Sequence, residues 1–131
     1  MSNNPDQRPI SPYMIGPYYR PQLTSMLSIF SRLAGIFMTV FTLPAMFLYL
    51  LALAAGPDSF AMATGLLLSW PGVVLCYLSL FFICYHLANG IRHLIWDTGK
   101  MMDLSHVYQS GYAMVVIALL LFVGLVVSTA I

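Results

Sequence analysis

The chain has 131 residues, of which 60% are hydrophobic and 7% charged, and its formal net charge is +1. So apolar a composition excludes an ordinary soluble domain and predicts an integral membrane protein with room for about three spans of 20 to 25 residues. The absence of a basic stripe excludes nucleic acid as a partner, and so short a chain cannot enclose a large site alone.

In chain order, residues 1–23 form a polar interfacial segment rich in proline and tyrosine. Pro9, Pro12, Pro17 and Pro21 remove backbone donors and predict an extended or turning chain. Tyr13, Tyr18 and Tyr19 suit a membrane interface or a partner's surface. The segment has neither the basic-then-apolar pattern of a signal peptide nor an Arg/Ser-rich presequence, so no cleavable targeting signal is expected. Residues 24–131 are expected to form an all-α transmembrane domain of three helices running up, down and up. The first helix is expected at about 24–54, interrupted only by Pro44, which membrane helices tolerate. Gly56, Pro57 and Asp58 make a tight connection, and 59–69 reads as a short helix at the surface. Trp70 and Pro71 introduce the second span, about 71–96, because an unbroken helix from Ser59 would be roughly 57 Å long, too long for one bilayer. Thr98 to Ser105 is a polar loop, and the third span covers about 106–129. Arg8, Arg20, Arg32, Arg92 and Lys100 gather at one end, whereas the opposite loop carries only Asp58. The positive-inside rule therefore places the N-terminus on the cytoplasmic or matrix side. Cys76 and Cys84, about 12 Å apart along one helix, cannot pair and are expected as buried, reduced thiols.

The most informative stretch is His86, Gly90, Arg92, His93 and Asp97 at the end of the second span. Ionisable groups inside a span are costly without partners, so the cluster reads as a site. Positions 86, 90, 93 and 97 share one helix face, and Gly90 lets a flat ligand or another helix approach one turn from His86. That suits axial ligation of a heme iron by His86, and it equally suits a histidine that hydrogen-bonds between helices; spacing leaves both open. His86 and His93 lie about 10 Å apart on one helix, so they cannot be the two axial ligands of one heme. A second ligand would come from another polypeptide or another copy. Arg92 and His93 suit heme propionates or interfacial anchoring, with Asp97 as a partner for either and Trp96 in an aromatic belt. On the first helix Ser25, Ser28 and Arg32 share a face, with Ser31 beside them. Hydroxyl donors beside a fixed cation are what a quinone headgroup needs, although serines bonding back to their own helix and an anchoring arginine give the same pattern.

Together these residues resemble the large cytochrome b membrane-anchor subunits of succinate dehydrogenase, respiratory complex II. The motifs are R-P-x-S-P at Arg8 to Pro12, S-I-x-x-R at Ser28 to Arg32 with Gly35 following, H-x2-N-G-I-R-H-L-x-W-D at His86 to Asp97, and Y-Q-S-G at Tyr108 to Gly111. The long, ordered string from His86 to Asp97 is the specific one. The resemblance implies a three-helix subunit in a bacterial inner membrane, or alternatively the mitochondrial one. It pairs with a second small membrane-anchor subunit and holds heme b between them, with His86 as the ligand to the heme iron and Ser28 and Arg32 lining the ubiquinone pocket. Ser31, Arg32, Arg92 and His93 are candidates for propionate or interfacial contacts. FAD and the iron–sulfur clusters belong to a flavoprotein subunit and an iron–sulfur subunit, and the N-terminal segment would lie against the latter. Ser31 departs from the family pattern, which often has histidine before this arginine, and Tyr13 stands where S-P-H is common. Two other readings use the same residues: a heme-free structural anchor or assembly subunit, and a proton-coupled transporter subunit with His86, His93 and Asp97 as a relay.

Overall fold

The computed structural model describes residues 21–130, and within them every regular element is helical. The expectations for Arg8 to Pro12, Tyr13, Tyr18, Tyr19 and Arg20 lie outside the described residues. Three helices are long and apolar enough to cross a membrane: Leu23–Ala55, Trp70–Asp97 and Leu104–Thr129. Each expected span is present, and no end differs from the expected one by more than two residues.

The first span is α1 (Leu23–Phe37), a π-helical stretch (Met38–Thr42) and α2 (Leu43–Ala55). The wide turn has a local cause. Pro44 has no N–H to give to the carbonyl of Val40 four residues back, and its ring would crowd that carbonyl. The helix widens just before it, so that the Leu43 N–H donates to the Met38 carbonyl, five residues back. Gly56, at φ 116°, turns the chain into α3 (Pro57–Leu68). Ser69 is extended and separates α3 from α4 (Trp70–Asp97), whose first turn accommodates Pro71. Gly72 is buried at this corner, where a Cβ would collide with the carbonyl oxygens of Leu66 and Leu67. Gly99, at φ 75°, lies in the loop before α5 (Leu104–Ala130). Asp103 at the start of α5 accepts the Val107 N–H on its carbonyl and pairs with His106 at 3.6 Å.

Lipid competes with apolar side chains for one another, so spans associate through close packing and hydrogen bonds. Small residues make this packing possible. Ala34 is 0% exposed and meets Ala88 of α4 and Ala118 of α5 in one cluster with Leu27, Tyr85 and Met114. At Gly111 a Cβ would lie 3.1 Å from methyl groups of Leu23 and Leu27, so α5 lies close against α1 there. Aromatic rings complete the seam: Phe30 meets Tyr85 edge-on at 4.8 Å, Phe37 meets Phe82 at 4.7 Å, and Phe81 meets Phe122 edge-on at 5.6 Å.

Arg92 holds α4 to α5. It is 5% exposed; its Nε donates to Ser110 Oγ at 3.1 Å and its Nη2 to the Val107 carbonyl at 2.9 Å, while its guanidinium lies 4.0 Å from the centre of the Trp96 ring. It is thus turned inward rather than snorkelling as an interfacial anchor. The charge is satisfied by dipoles and a π face, and among the described residues the single ion pair is His106 with Asp103, not Asp97 with Arg92 or His93. Cys84 is buried, but Cys76 is exposed, contrary to expectation, because it lines an open groove between α2 and α4.

Two consequences can be measured by thermal or detergent-induced unfolding of the purified protein. Gly72→Ala should cost about 1 to 3 kcal/mol, because the added methyl overpacks backbone, whereas Gly65→Ala, where a Cβ meets nothing within 4 Å, should be neutral or stabilising by up to about 1 kcal/mol. Arg92→Met should destabilise by about 1.5 to 3 kcal/mol through the loss of its charged hydrogen bonds to α5.

Candidate functional site

The C-terminal half of α4 has two polar faces. Tyr85, Asn89 and Arg92 are buried and Trp96 is half-buried, spaced four, three and four apart. His86, His93 and Asp97 are exposed, and Gly90 between them is half-buried. The shared face expected for positions 86, 90, 93 and 97 is therefore the one that leaves the bundle. Arg92 does not belong to it, because a helix turns about 100° per residue and carries Arg92 to the α5 side.

His86 is outward-facing but not isolated. A Cβ placed on Gly35 would touch His86 Cε1 at 3.6 Å, so the imidazole lies over the bare backbone of α1 at that point. One turn toward the end of α4, a Cβ on Gly90 would meet nothing within 4 Å, so the face beside the imidazole is open. His93, two turns away, sets its ring edge-on to Trp96 at 5.2 Å. His106 lies at the start of α5 with Asp103 and does not join this face. Among the described residues there is no group of three or more His, Cys, Asp or Glu side chains that could hold a metal ion. A lone imidazole with an open, flat approach suits the axial position of a planar metal complex, which brings its other ligands with it.

On α1, Ser28 is half-buried and Ser25 and Arg32 are exposed. Ser28, Arg32 and Gly35 follow one stripe at spacings of four and three, and Gly35 is the residue beneath His86. Ser28, Arg32 and His86 thus border the same seam between α1 and α4. Ser31 is drawn into that seam, where its Oγ accepts a hydrogen bond from Asn89 Nδ2 at 2.9 Å. Nearby, the Tyr85 hydroxyl donates to the Leu27 carbonyl at 2.9 Å. Farther along, α2 and α4 bound an apolar groove of about 270 Å³ lined by Thr42, Met46, Tyr49, Cys76, Ser79 and Ile83, with Thr42 Oγ1 donating to Ser79 Oγ at 2.9 Å.

Sequence reasoning assigned nothing to Tyr85 or Asn89, although Asn89 lies in the motif. The available signal was the second polar stripe at 85, 89, 92 and 96, about 100° around the helix from the histidines. The relay of His86, His93 and Asp97 finds no continuation along α5, where Ser128 and Thr129 donate back to the Leu125 and Val126 carbonyls, each at 2.8 Å.

The family model described as succinate dehydrogenase/fumarate reductase transmembrane subunit matches residues 4–125. The succinate dehydrogenase cytochrome b560 subunit of Marchantia polymorpha is 38% identical over 111 residues, covering 82% of this chain and 80% of that protein. The cytochrome b556 subunit of the same enzyme from Rickettsia prowazekii is 31% identical over 117 residues, covering 88% of each chain. That of Paracoccus denitrificans is 30% identical over 112 residues, covering 86% of this chain and 84% of the relative. With three membrane-spanning helices and a match over nearly its whole length, the chain belongs to the family of succinate dehydrogenase/fumarate reductase transmembrane subunits.

Proposed function

We propose that the chain is the cytochrome b membrane anchor of a succinate dehydrogenase in a bacterial or mitochondrial inner membrane, that it shares heme b with a second small anchor subunit, and that it lines the ubiquinone-reduction site. The observation that carries the reading is His86, an imidazole exposed on a membrane-spanning face, seated on Gly35 and open at Gly90. Such a group is costly against lipid and calls for a partner. The relatives' names include cytochrome b, which supports heme as that partner. Exposure of His86 and His93 on either side of half-buried Gly90 supports a site completed by another subunit, which would supply the remaining protein contacts to the group. The helical domain, 24–131, would hold the membrane site.

The residues of this chain would act as follows. His86 would hold the heme iron through a ring nitrogen, and the bare backbone at Gly35 and Gly90 would leave room for a flat group. Heme b, when bound, supplies a one-electron store within the membrane. Arg32 and Ser28, on the adjoining stripe of α1, hold the quinone oxygens: the guanidinium stabilises the negative charge that develops on reduction, and the hydroxyl donates a hydrogen bond. Arg32 is exposed on the seam side and His93 on the outward face, which supports them as the side chains available to propionates; Arg92 is engaged with α5. Electrons reach the quinone from succinate through FAD and iron–sulfur clusters on the flavoprotein and iron–sulfur subunits.

In the complex purified in mild detergent, a dithionite-reduced minus oxidised spectrum should show a b-type heme that is lost in His86→Ala. The same partners with no heme in the unaltered complex would return His86 to a packing role. Arg32→Leu should lower succinate–ubiquinone reductase activity at least about tenfold and Ser28→Ala by a smaller factor, while succinate oxidation with an artificial acceptor is unchanged. Normal quinone reduction by both variants would overturn the pocket assignment.

A further inference from the structure

Hydroxyls inside membrane helices usually donate to a carbonyl three or four residues back in their own helix. Thr39, Ser110, Ser128 and Thr129 all do so here, to Gly35, Val107, Leu125 and Val126. Ser31 does not. Of its two local acceptors, the Ser28 carbonyl three residues back receives no bond from it, and the Leu27 carbonyl four residues back already takes the helical N–H of Ser31 and, at 2.9 Å, the hydroxyl of Tyr85. Both lone pairs of that carbonyl are used. On its other side the Ser31 oxygen accepts from Asn89 Nδ2 at 2.9 Å. An oxygen that accepts in this way still has its proton to give, and accepting strengthens it as a donor.

Asn89 carries a cost in this arrangement. It is 2% exposed, and its Oδ1 has no hydrogen-bond partner among the described residues. A buried, unsatisfied amide oxygen inside a helical bundle is unfavourable, and a leucine of similar volume would avoid it. Simple packing does not account for an amide held with one end unpaired. Directing its N–H groups at Ser31 does. Tyr85 and Asn89 are one helical turn apart on α4 and close on Ser31 and on its helical acceptor, Leu27.

We propose that Tyr85 and Asn89 are positioning residues that together occupy the Leu27 carbonyl, hold Ser31 toward α4 and leave its hydroxyl as a free hydrogen-bond donor for an oxygen of the group bound at the α1–α4 seam. The inference rests on the reading of that seam as the heme and quinone site. The acceptor chemistry is a carbonyl or carboxylate oxygen, and two sources offer it: the ubiquinone headgroup and a heme propionate. Ser31 adjoins Arg32 and lies one turn from both Ser28 and Gly35, so its donor falls among the residues assigned to both groups.

The test uses the assembled complex with Ser31→Ala, Tyr85→Phe and Asn89→Leu, and the doubles of Ser31→Ala with each of the others. Each single variant should raise the KM for a short-chain ubiquinone analogue about three- to tenfold, which assigns the acceptor to the quinone, or lower the heme midpoint potential, which assigns it to a propionate. Heme content and artificial-acceptor activity should stay unchanged, and the doubles should be no worse than Ser31→Ala alone, because Tyr85 and Asn89 act through Ser31. Where Asn89→Leu does not assemble, Tyr85→Phe, which removes one oxygen and keeps the ring, carries the test. Tyr85→Phe indistinguishable from the unaltered complex, doubles equal to the product of their singles, or loss of heme from Tyr85→Phe would each overturn the inference. If Ser28→Ala and Arg32→Leu also reduce quinone normally, the failure belongs to the pocket assignment itself; if they are impaired, it belongs to Tyr85 and Asn89 alone.

Discussion

The arrangement depends on how α4 is held to its two neighbours in a solvent that gives apolar side chains no reason to seek one another. Ala34, Ala88, Ala118 and Gly111 let three backbones approach closely, and at that approach the polar groups of α4 reach across: Tyr85 to the Leu27 carbonyl, Asn89 to Ser31, Arg92 to Ser110 and Val107. Hydrogen bonds of this kind contribute where lipid would leave the groups unpaired. They also set the rotation of α4 about its axis. With Tyr85, Asn89 and Arg92 turned inward, His86, Gly90 and His93 have no direction left but out.

That rotation separates two uses of charge in a short motif. Arg92 is buried against carbonyl, hydroxyl and indole, and its cation serves the joint between α4 and α5. Arg32 remains exposed beside the seam, where a fixed cation is available to a ligand. Geometry thus commits Arg92 to the joint with α5 and leaves Arg32 exposed, although both lie within spans at the same end of the bundle.

Shape follows a similar division. The widened turn before Pro44 realigns the far half of the first span, where Thr42 meets Ser79 and the groove beyond His86 opens. The corner at Gly72 folds α3 back against the start of α4 and ends the second span at a length one bilayer can hold. Neither feature touches His86, but each fixes a helix whose other end carries the site. Under the proposed function, the outward face that results is half of a binding surface.

The sequence by itself determined the number of spans, their boundaries to within a residue or two, the break at Trp70 and Pro71, and the helix face shared by His86, Gly90, His93 and Asp97. These follow from hydropathy, proline chemistry and helical periodicity, which are local properties. The motif spacing also marked out the family, because the string from His86 to Asp97 is long and ordered. Which of two adjacent polar stripes on α4 would face the neighbouring helices was not legible, since both have helical spacing and both carry groups that hydrogen-bond. Only the tertiary structure decided it, by placing the Leu27 carbonyl, Ser31, Val107 and Ser110 where Tyr85, Asn89 and Arg92 could reach them. Contacts between residues 58 apart in the chain leave no periodic signal in a single sequence, and for that reason the partners of Ser31 and the inward turn of Arg92 became visible only in three dimensions.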